Sequence, residues 1–149
     1  MRKRGRGHSK AKKRTFDGID FASGLELYCY KELKKASIPN EYEGKKFELI
    51  PSFEYKGTLM DRGTTKGVKT FKEKSIKVRN ISYTPDFINL DWGFIIETKG
   101  FRNETFPMRF KLFMRMLFAS DLAYDLYIPS TKAEVDTTIL KILERHGSL

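Results

Sequence analysis

The chain has 149 residues, 40% of them hydrophobic, and a formal charge of +10, which gives enough apolar material for the core of one globular domain. Cys29 is its one cysteine, and His8 and His146 are its two histidines, which excludes an intramolecular disulfide and a His/Cys zinc cluster built within one chain. No apolar run approaches the ~20 residues needed to cross a bilayer, and no apolar segment of a secretory signal follows the basic N-terminus, so a cytoplasmic protein with no membrane partner is expected.

The charge is unevenly spread. Residues 1–14 hold eight basic side chains (Arg2, Lys3, Arg4, Arg6, Lys10, Lys12, Lys13 and Arg14) and no acid; taking eight from 29 Lys/Arg leaves 21 against 19 Asp/Glu elsewhere. The segment is punctuated by glycine and lacks hydrophobic periodicity. A disordered basic arm over residues 1–15, followed by one domain over 16–149, is therefore expected. Such an arm neutralises phosphates, which makes nucleic acid the first expected partner; a merely solubilising tail is the plainer reading.

Ser23-Gly24-Leu25-Glu26 has the form of a capping box, with Ser23 as N-cap and Glu26 at the third helical position. Leu25, Tyr28, Cys29, Leu33 and Ala36 then recur at helical spacing, and Pro39 closes the segment. Capping alone accounts for a Glu at position 26. From Glu41 to Tyr83 the pattern turns to short strands: 47–50 and 52–55 around Pro51, then 75–78 and 81–83. Between them Gly57, Gly63 and Gly67 mark a basic loop or hairpin tip, whose Lys66, Lys69, Lys72 and Lys74 either touch a phosphate backbone or are simply solvated.

Next come Tyr83-Thr84-Pro85-Asp86-Phe87 and Ile95-Ile96-Glu97-Thr98-Lys99-Gly100, separated by the turn-forming Asn89-Leu90-Asp91-Trp92-Gly93. The two read as arms of a hairpin. Glu97 and Lys99, two residues apart, share one side of a strand, and folding the arms together brings Asp86 close to both. After Gly100, residues 107–119 form an amphipathic helix with Phe110, Phe113, Met114 and Leu117 inward and Arg109, Lys111 and Arg115 on a basic side. A strand at 126–128 leads to a second capping box, Thr131-Lys132-Ala133-Glu134, and a helix with Val135, Ile139, Ile142 and Leu143 inward and Gly147 as its stop. The order α-β-β-β-α-β-α predicts an α/β fold of the α+β kind, with a small central mixed sheet flanked by helices.

Hydrolysis of a phosphodiester needs a water made nucleophilic near neutral pH and charge relief for the leaving oxygen. Mg²⁺ held by one or two carboxylates does both. Asp86 and Glu97 supply carboxylates, the Thr98 backbone carbonyl a third oxygen, and Lys99 a point charge for the attacking water or the phosphate. The competing reading is that three charged residues on a hairpin face are ordinary solvated charge.

Pro85-Asp86 with Glu97-x-Lys99 resembles the motif of the PD-(D/E)xK nuclease superfamily. Phe21-Ala22-Ser23-Gly24-Leu25-Glu26, Tyr83-Thr84-Pro85-Asp86-Phe87 and Glu97-Thr98-Lys99-Gly100 are similar to the motifs of its phage endonuclease I branch, the Holliday junction resolvases, and residues 46–111 resemble related small phage endonucleases. The resemblance covers residues 16–118. It implies a restriction-endonuclease-like core and Mg²⁺-dependent DNA cleavage, with Mn²⁺ able to substitute. Glu26, Asp86, Glu97 and Lys99 would be catalytic, and Glu26 would join Asp86, Glu97 and the Thr98 carbonyl at the metal. It also implies branched or four-way-junction DNA as substrate, a homodimer, a 5′-phosphate product and, if phage-encoded, a bacterial host cytoplasm. The basic arm, Lys66, Lys69, Arg109, Lys111 and Arg115 would hold the DNA backbone. One departure is visible: the β-hairpin insertion at 51–80 makes the separation between Glu26 and Asp86 longer than in endonuclease I, where the intervening segment helps form the dimer. A nuclease directed to a sequence, mismatch or flap, a DNA-binding accessory protein without turnover, and a basic RNA-associated protein are the alternatives.

Overall fold

The hairpin expected between Asp86 and Lys99 forms, and it is the centre of the molecule. A computed structural model describes residues 14–74, 76–100 and 103–147. In chain order these run β1 (Arg14–Phe16), β2 (Ile19–Phe21), α1 (Gly24–Lys35), β3 (Glu41–Tyr42), β4 (Phe47–Ile50), β5 (Phe53–Glu54), β6 (Met60–Thr65), β7 (Val68–Glu73), β8 (Lys77–Val78), β9 (Ile81–Tyr83), β10 (Phe87–Asn89), β11 (Phe94–Ile96), α2 (Thr105–Ala119), β12 (Asp125–Tyr127) and α3 (Lys132–His146). The architecture is mixed α+β, with one four-stranded sheet in the order β12-β11-β10-β3 and four two-stranded ladders.

β10 and β11 pair antiparallel, with Phe87 opposite Ile96, Ile88 opposite Ile95 and Asn89 opposite Phe94. Their turn is tied by Asn89, whose side-chain oxygen accepts from the Trp92 N–H at 2.7 Å, and closes at Gly93 with φ +69°. β11 pairs parallel with β12, which requires a crossover connection; α2 supplies it. β3 adds antiparallel on the outer side of β10.

Alternation along the two central strands divides the core. Phe87, Phe94 and Ile96 face one side, where they pack with Cys29 and Leu33 of α1 and Val135, Ile139 and Ile142 of α3. Ile88 and Ile95 face the other, where they meet Phe113 and Leu117 of α2 together with Phe47 and Tyr83 of the β4–β9 ladder. Strands buried on both faces need apolar residues at every position, which is why Phe94-Ile95-Ile96 reads as an unbroken apolar run.

Both capping boxes form. The Ser23 hydroxyl accepts from the Glu26 N–H at 3.1 Å and Thr131 Oγ1 from the Glu134 N–H at 3.2 Å. In each, the Glu carboxylate reaches one residue further back than the N-cap, to the Ala22 N–H at 3.0 Å and the Ser130 N–H at 2.5 Å. α2 begins two residues earlier than its pattern suggests, because the Asn103 side chain accepts from the Phe106 N–H at 2.9 Å and Pro107 sits in the first turn.

Three expectations are corrected. Residues 14 and 15 do not belong to the arm: β1 pairs with β2 across a tight turn at Asp17-Gly18, φ +51° and +74°, the geometry of a type I′ hairpin. Met114 is not inward but exposed; the buried residues of α2 are Phe106, Phe113 and Leu117. The strand expected at 52–55 narrows to Phe53–Glu54 and that at 75–78 to Lys77–Val78, Ser75 lying outside the described residues. Among the described residues no helix is long and apolar enough to cross a membrane.

Phe113 is fully buried and its ring contacts those of Phe47, Tyr83 and Phe110. Phe113→Ala is expected to lower unfolding free energy by about 3–5 kcal/mol in urea denaturation, and the exposed Met114→Ala by less than ~1 kcal/mol.

Candidate functional site

Asp86 is the residue before β10 and Glu97 the residue after β11, so the pairing that holds the two strands together sets both acids at the open end of the hairpin. Lys99, two residues past Glu97, lies on the same side. The N-terminal turn of α1 brings Glu26 to the same place. All four line one pocket of about 490 Å³, whose wall also includes Glu43, Lys46, Ser82, Asn103, Phe106 and Arg109.

Each acid is held by its own donors. Asp86 Oδ2 accepts from both the backbone N–H and the hydroxyl of Thr98, at 2.7 Å each, so the strand after β11 grips the side chain that precedes β10. Glu97 Oε2 accepts from the Tyr83 hydroxyl at 2.8 Å, and its Oε1 lies 3.0 Å from Lys99 Nζ. The Lys99 ammonium also stands over the Phe106 ring, 4.9 Å from its centroid. Glu26 Oε2 accepts from the Tyr42 hydroxyl at 2.8 Å, and Oε1 from Ser23 Oγ at 2.9 Å. Glu26 and Glu97 are both buried.

Burial is unfavourable for a carboxylate, and three of them share this pocket. The effect falls on Asp86. Desolvation first, then the charge of Glu97 and, more weakly, of Glu26, push its pKa up to about 7 against the opposing pull of the Thr98 hydroxyl and N–H. Cys29 lies behind the acids, its thiol pushed up by burial and by the charges of Asp86 and Glu26, which leaves it a core residue and not a nucleophile. Tyr42 and Tyr83 are likewise pushed up, chiefly by burial and with contributions from the glutamates they face, and so remain protonated donors.

These donors suit a hard cation: carboxylate and carbonyl oxygen, no sulfur and no imidazole. The half-buried Asp86, its pKa raised first by desolvation and then by the charges of Glu97 and Glu26, is a position where a nearby positive charge would be favourable. Among the described residues, however, no three His, Cys, Asp or Glu groups are gathered tightly enough to hold a metal ion as they stand. Both oxygens of Glu26 and both of Glu97 accept hydrogen bonds from protein donors. Asp86 Oδ1 and the Thr98 carbonyl accept no hydrogen bond from the described residues.

The expected backbone contacts are divided. Arg109 lines the pocket, whereas Lys111 and Arg115 lie further along the exposed side of α2. Lys66 and Lys69 sit at the tip of the β6–β7 hairpin, away from the pocket wall. Arg14 stands in β1, its guanidinium against Gly24 at the start of α1; Arg2, Lys3, Arg4, Arg6, Lys10, Lys12 and Lys13 lie outside the described residues. Sequence reasoning missed Tyr42, Tyr83, Lys46 and Asn103. The tyrosines reach the acids through pairings between distant segments, β3 with β10 and β4 with β9, which no local pattern announces.

A family model described as "Protein of unknown function (DUF1064)" matches residues 6–132, and the chain belongs to that family. The match spans all four pocket residues singled out above. No curated protein and no solved structure matches the chain.

An acid whose folded pKa is raised binds more protons folded than unfolded between its ordinary value and about 7. Stability is therefore lost as pH rises through that window. Without divalent cation, Asp86→Asn is expected to be more stable than the parent at pH 8, by on the order of 1 kcal/mol, with the difference vanishing by about pH 4. Thermal melts of the two chains across pH check this.

Proposed function

We propose that this chain is a metal-dependent DNA endonuclease that hydrolyses phosphodiester bonds in branched DNA, in the manner of a Holliday junction resolvase. The observation that carries the reading is the convergence of Glu26, Asp86, Glu97 and Lys99 on one pocket from three separate stretches of chain. Those are the residues that the PD-(D/E)xK resemblance assigns to the reaction, and the α+β arrangement, with a hairpin at its centre and helices on both faces, is compatible with that superfamily's core. The 5′-phosphate product and the homodimer rest on the resemblance alone.

Glu26, Asp86, Glu97 and the Thr98 carbonyl would hold Mg²⁺, or Mn²⁺ in its place. When bound, the cation supplies a Lewis acid that lowers the pKa of water and offsets charge on the phosphate. The chain's own part is positioning and charge. Tyr83 and Tyr42 fix the two glutamates by one oxygen each, and the Thr98 N–H and hydroxyl fix Asp86. Lys99, already 3.0 Å from Glu97, holds the attacking water against that carboxylate or offsets the charge that builds on phosphorus. Arg109 and Lys46 at the pocket wall bind non-bridging phosphate oxygens.

A second reading has its own support. The acids are tied to protein donors and not gathered for a metal, as in an accessory protein that binds DNA without cutting it. Nucleases directed to a sequence, mismatch or flap differ from the leading reading in substrate, not in this chemistry.

Cleavage of labelled four-way junction, flap, mismatch and linear duplex DNA with Mg²⁺ separates these readings. Lys99→Ala is expected to reduce cleavage at least ~10²-fold, the scale of a lost acid–base or charge-stabilising group, while junction binding stays nearly unchanged. Equal loss of binding and cleavage would remove Lys99 from the chemistry, and no cleavage with Mg²⁺ or Mn²⁺ would favour the accessory protein.

A further inference from the structure

The longest strands described, β6 and β7, support nothing in the core. Every residue of β7 is exposed, and in β6 only Gly63 is partly covered. The two pair from Met60 opposite Glu73 to Thr65 opposite Val68. They close on Lys66-Gly67, φ +48° and +80°, the signature of a type I′ turn. The result is a free ribbon about 20 Å long. Two-stranded ribbons are marginal in water without a partner, yet this one exposes Phe71 at 71% and Val68 at 62%.

Its charge distinguishes it from the body. Residues 56–79 carry eight Lys/Arg against two acids, and residues 1–13 carry seven Lys/Arg against none; removing both segments from 29 Lys/Arg and 19 Asp/Glu leaves 14 basic against 17 acidic. The body that contains the carboxylate pocket is therefore net negative, and the β6–β7 ribbon carries positive charge that the body as a whole lacks. Within the ribbon, Lys74 is paired with Asp61 at 3.0 Å and Lys72 donates to the Thr65 hydroxyl at 2.5 Å. Arg62 stands opposite Phe71, and Lys69 is two residues from Phe71, so the three share one face. The stem of the ribbon runs through the β5–β8 and β4–β9 ladders to Ser82, Tyr83 and Thr84, which line the pocket.

We propose that the β6–β7 ribbon is an arm that enters the major groove of B-form DNA, with Lys66, Lys69 and Arg62 on the phosphates and Phe71 against the groove edge. The B-form major groove, about 12 Å wide, admits a two-stranded ribbon, whereas the deep, narrow major groove of A-form RNA does not. The identity of the polyanion as DNA rests on the reading of the pocket given above; the ribbon adds which helical form is gripped and by which residues.

The test measures binding of the full chain in EDTA, by fluorescence anisotropy across a salt series, to a DNA duplex and to an RNA duplex of the same sequence. Lys66→Asn with Lys69→Gln keeps a residue tolerant of positive φ in the turn; circular dichroism confirms that the fold is kept. The expected result is DNA preferred over RNA, with the slope of log affinity against log salt reduced by about two in the double variant, near 0.9 per lost phosphate contact. Phe71→Ser is expected to weaken binding at every salt concentration and leave the slope unchanged. An unaltered slope in the double variant, equal affinity for the RNA duplex, or a dimer in sedimentation that Phe71→Ser dissociates would overturn the proposal, the last in favour of a second copy as the occupant. EDTA keeps the two claims apart: a chain that binds through the ribbon yet never cuts with Mg²⁺ leaves this proposal standing and sinks the nuclease.

Discussion

Glu26, Asp86 and Glu97, three buried or half-buried carboxylates, line one pocket in which the Lys99 ammonium lies 3.0 Å from Glu97, and the surrounding structure is arranged around the cost of that negative charge. Water would solvate these groups more cheaply than protein does. They are kept where they are by hydrogen bonds from elements that have other reasons to be in place. The β10–β11 pairing sets Asp86 and Glu97 at its open end; Thr98 grips Asp86 by two bonds; Tyr83 and Tyr42 each hold a glutamate. What these donors leave unbalanced is visible in the raised pKa of Asp86. Desolvation and the charges of Glu97 and Glu26 favour the protonated form of Asp86, and a cation bound among these acids, as proposed, would take over that role.

The fold explains why the pocket forms at a hairpin end. β10 and β11 are buried on both faces, so their side chains must be apolar until the strands emerge from between the helices. Asp86 and Glu97 are the first positions outside that layer, where polar groups become affordable. Glu26 joins them because α1 packs in the core by Cys29 and Leu33 and its first turn carries Glu26 to the pocket wall. Its dual use, capping α1 and facing the pocket, follows from the carboxylate having two oxygens: one bonds Ser23, the other Ala22 and Tyr42.

Much of this is legible in the sequence, and unevenly so. The central hairpin is readable because its arms are neighbours in the chain and its turn residues are unambiguous. The two capping boxes are readable for the same reason. Glu26 as a pocket residue is not, since a capping role already accounts for it; the family resemblance, and no pattern of spacing, suggested more. The β1–β2 hairpin was hidden by composition, because Asp17-Gly18 is a turn signal lying just past a run of basic residues. Met114 was misplaced because a helical stripe read without its partners does not distinguish which edge of the apolar arc is covered; Phe106, one residue before the expected start, is buried instead. Tyr42 and Tyr83 depend on pairings between distant segments, and these become visible only in three dimensions.

The central claim, that these acids form a divalent-cation site, is tested most directly by counting Mn²⁺ bound to the purified chain with electron paramagnetic resonance, in which free and bound ion are distinguished. The account predicts binding of at least one ion per chain, abolished by Asp86→Ala and by Glu97→Ala and unaffected by Glu48→Ala, a change at an exposed position outside the pocket wall. Absence of binding, or binding that survives the loss of Asp86, would contradict it.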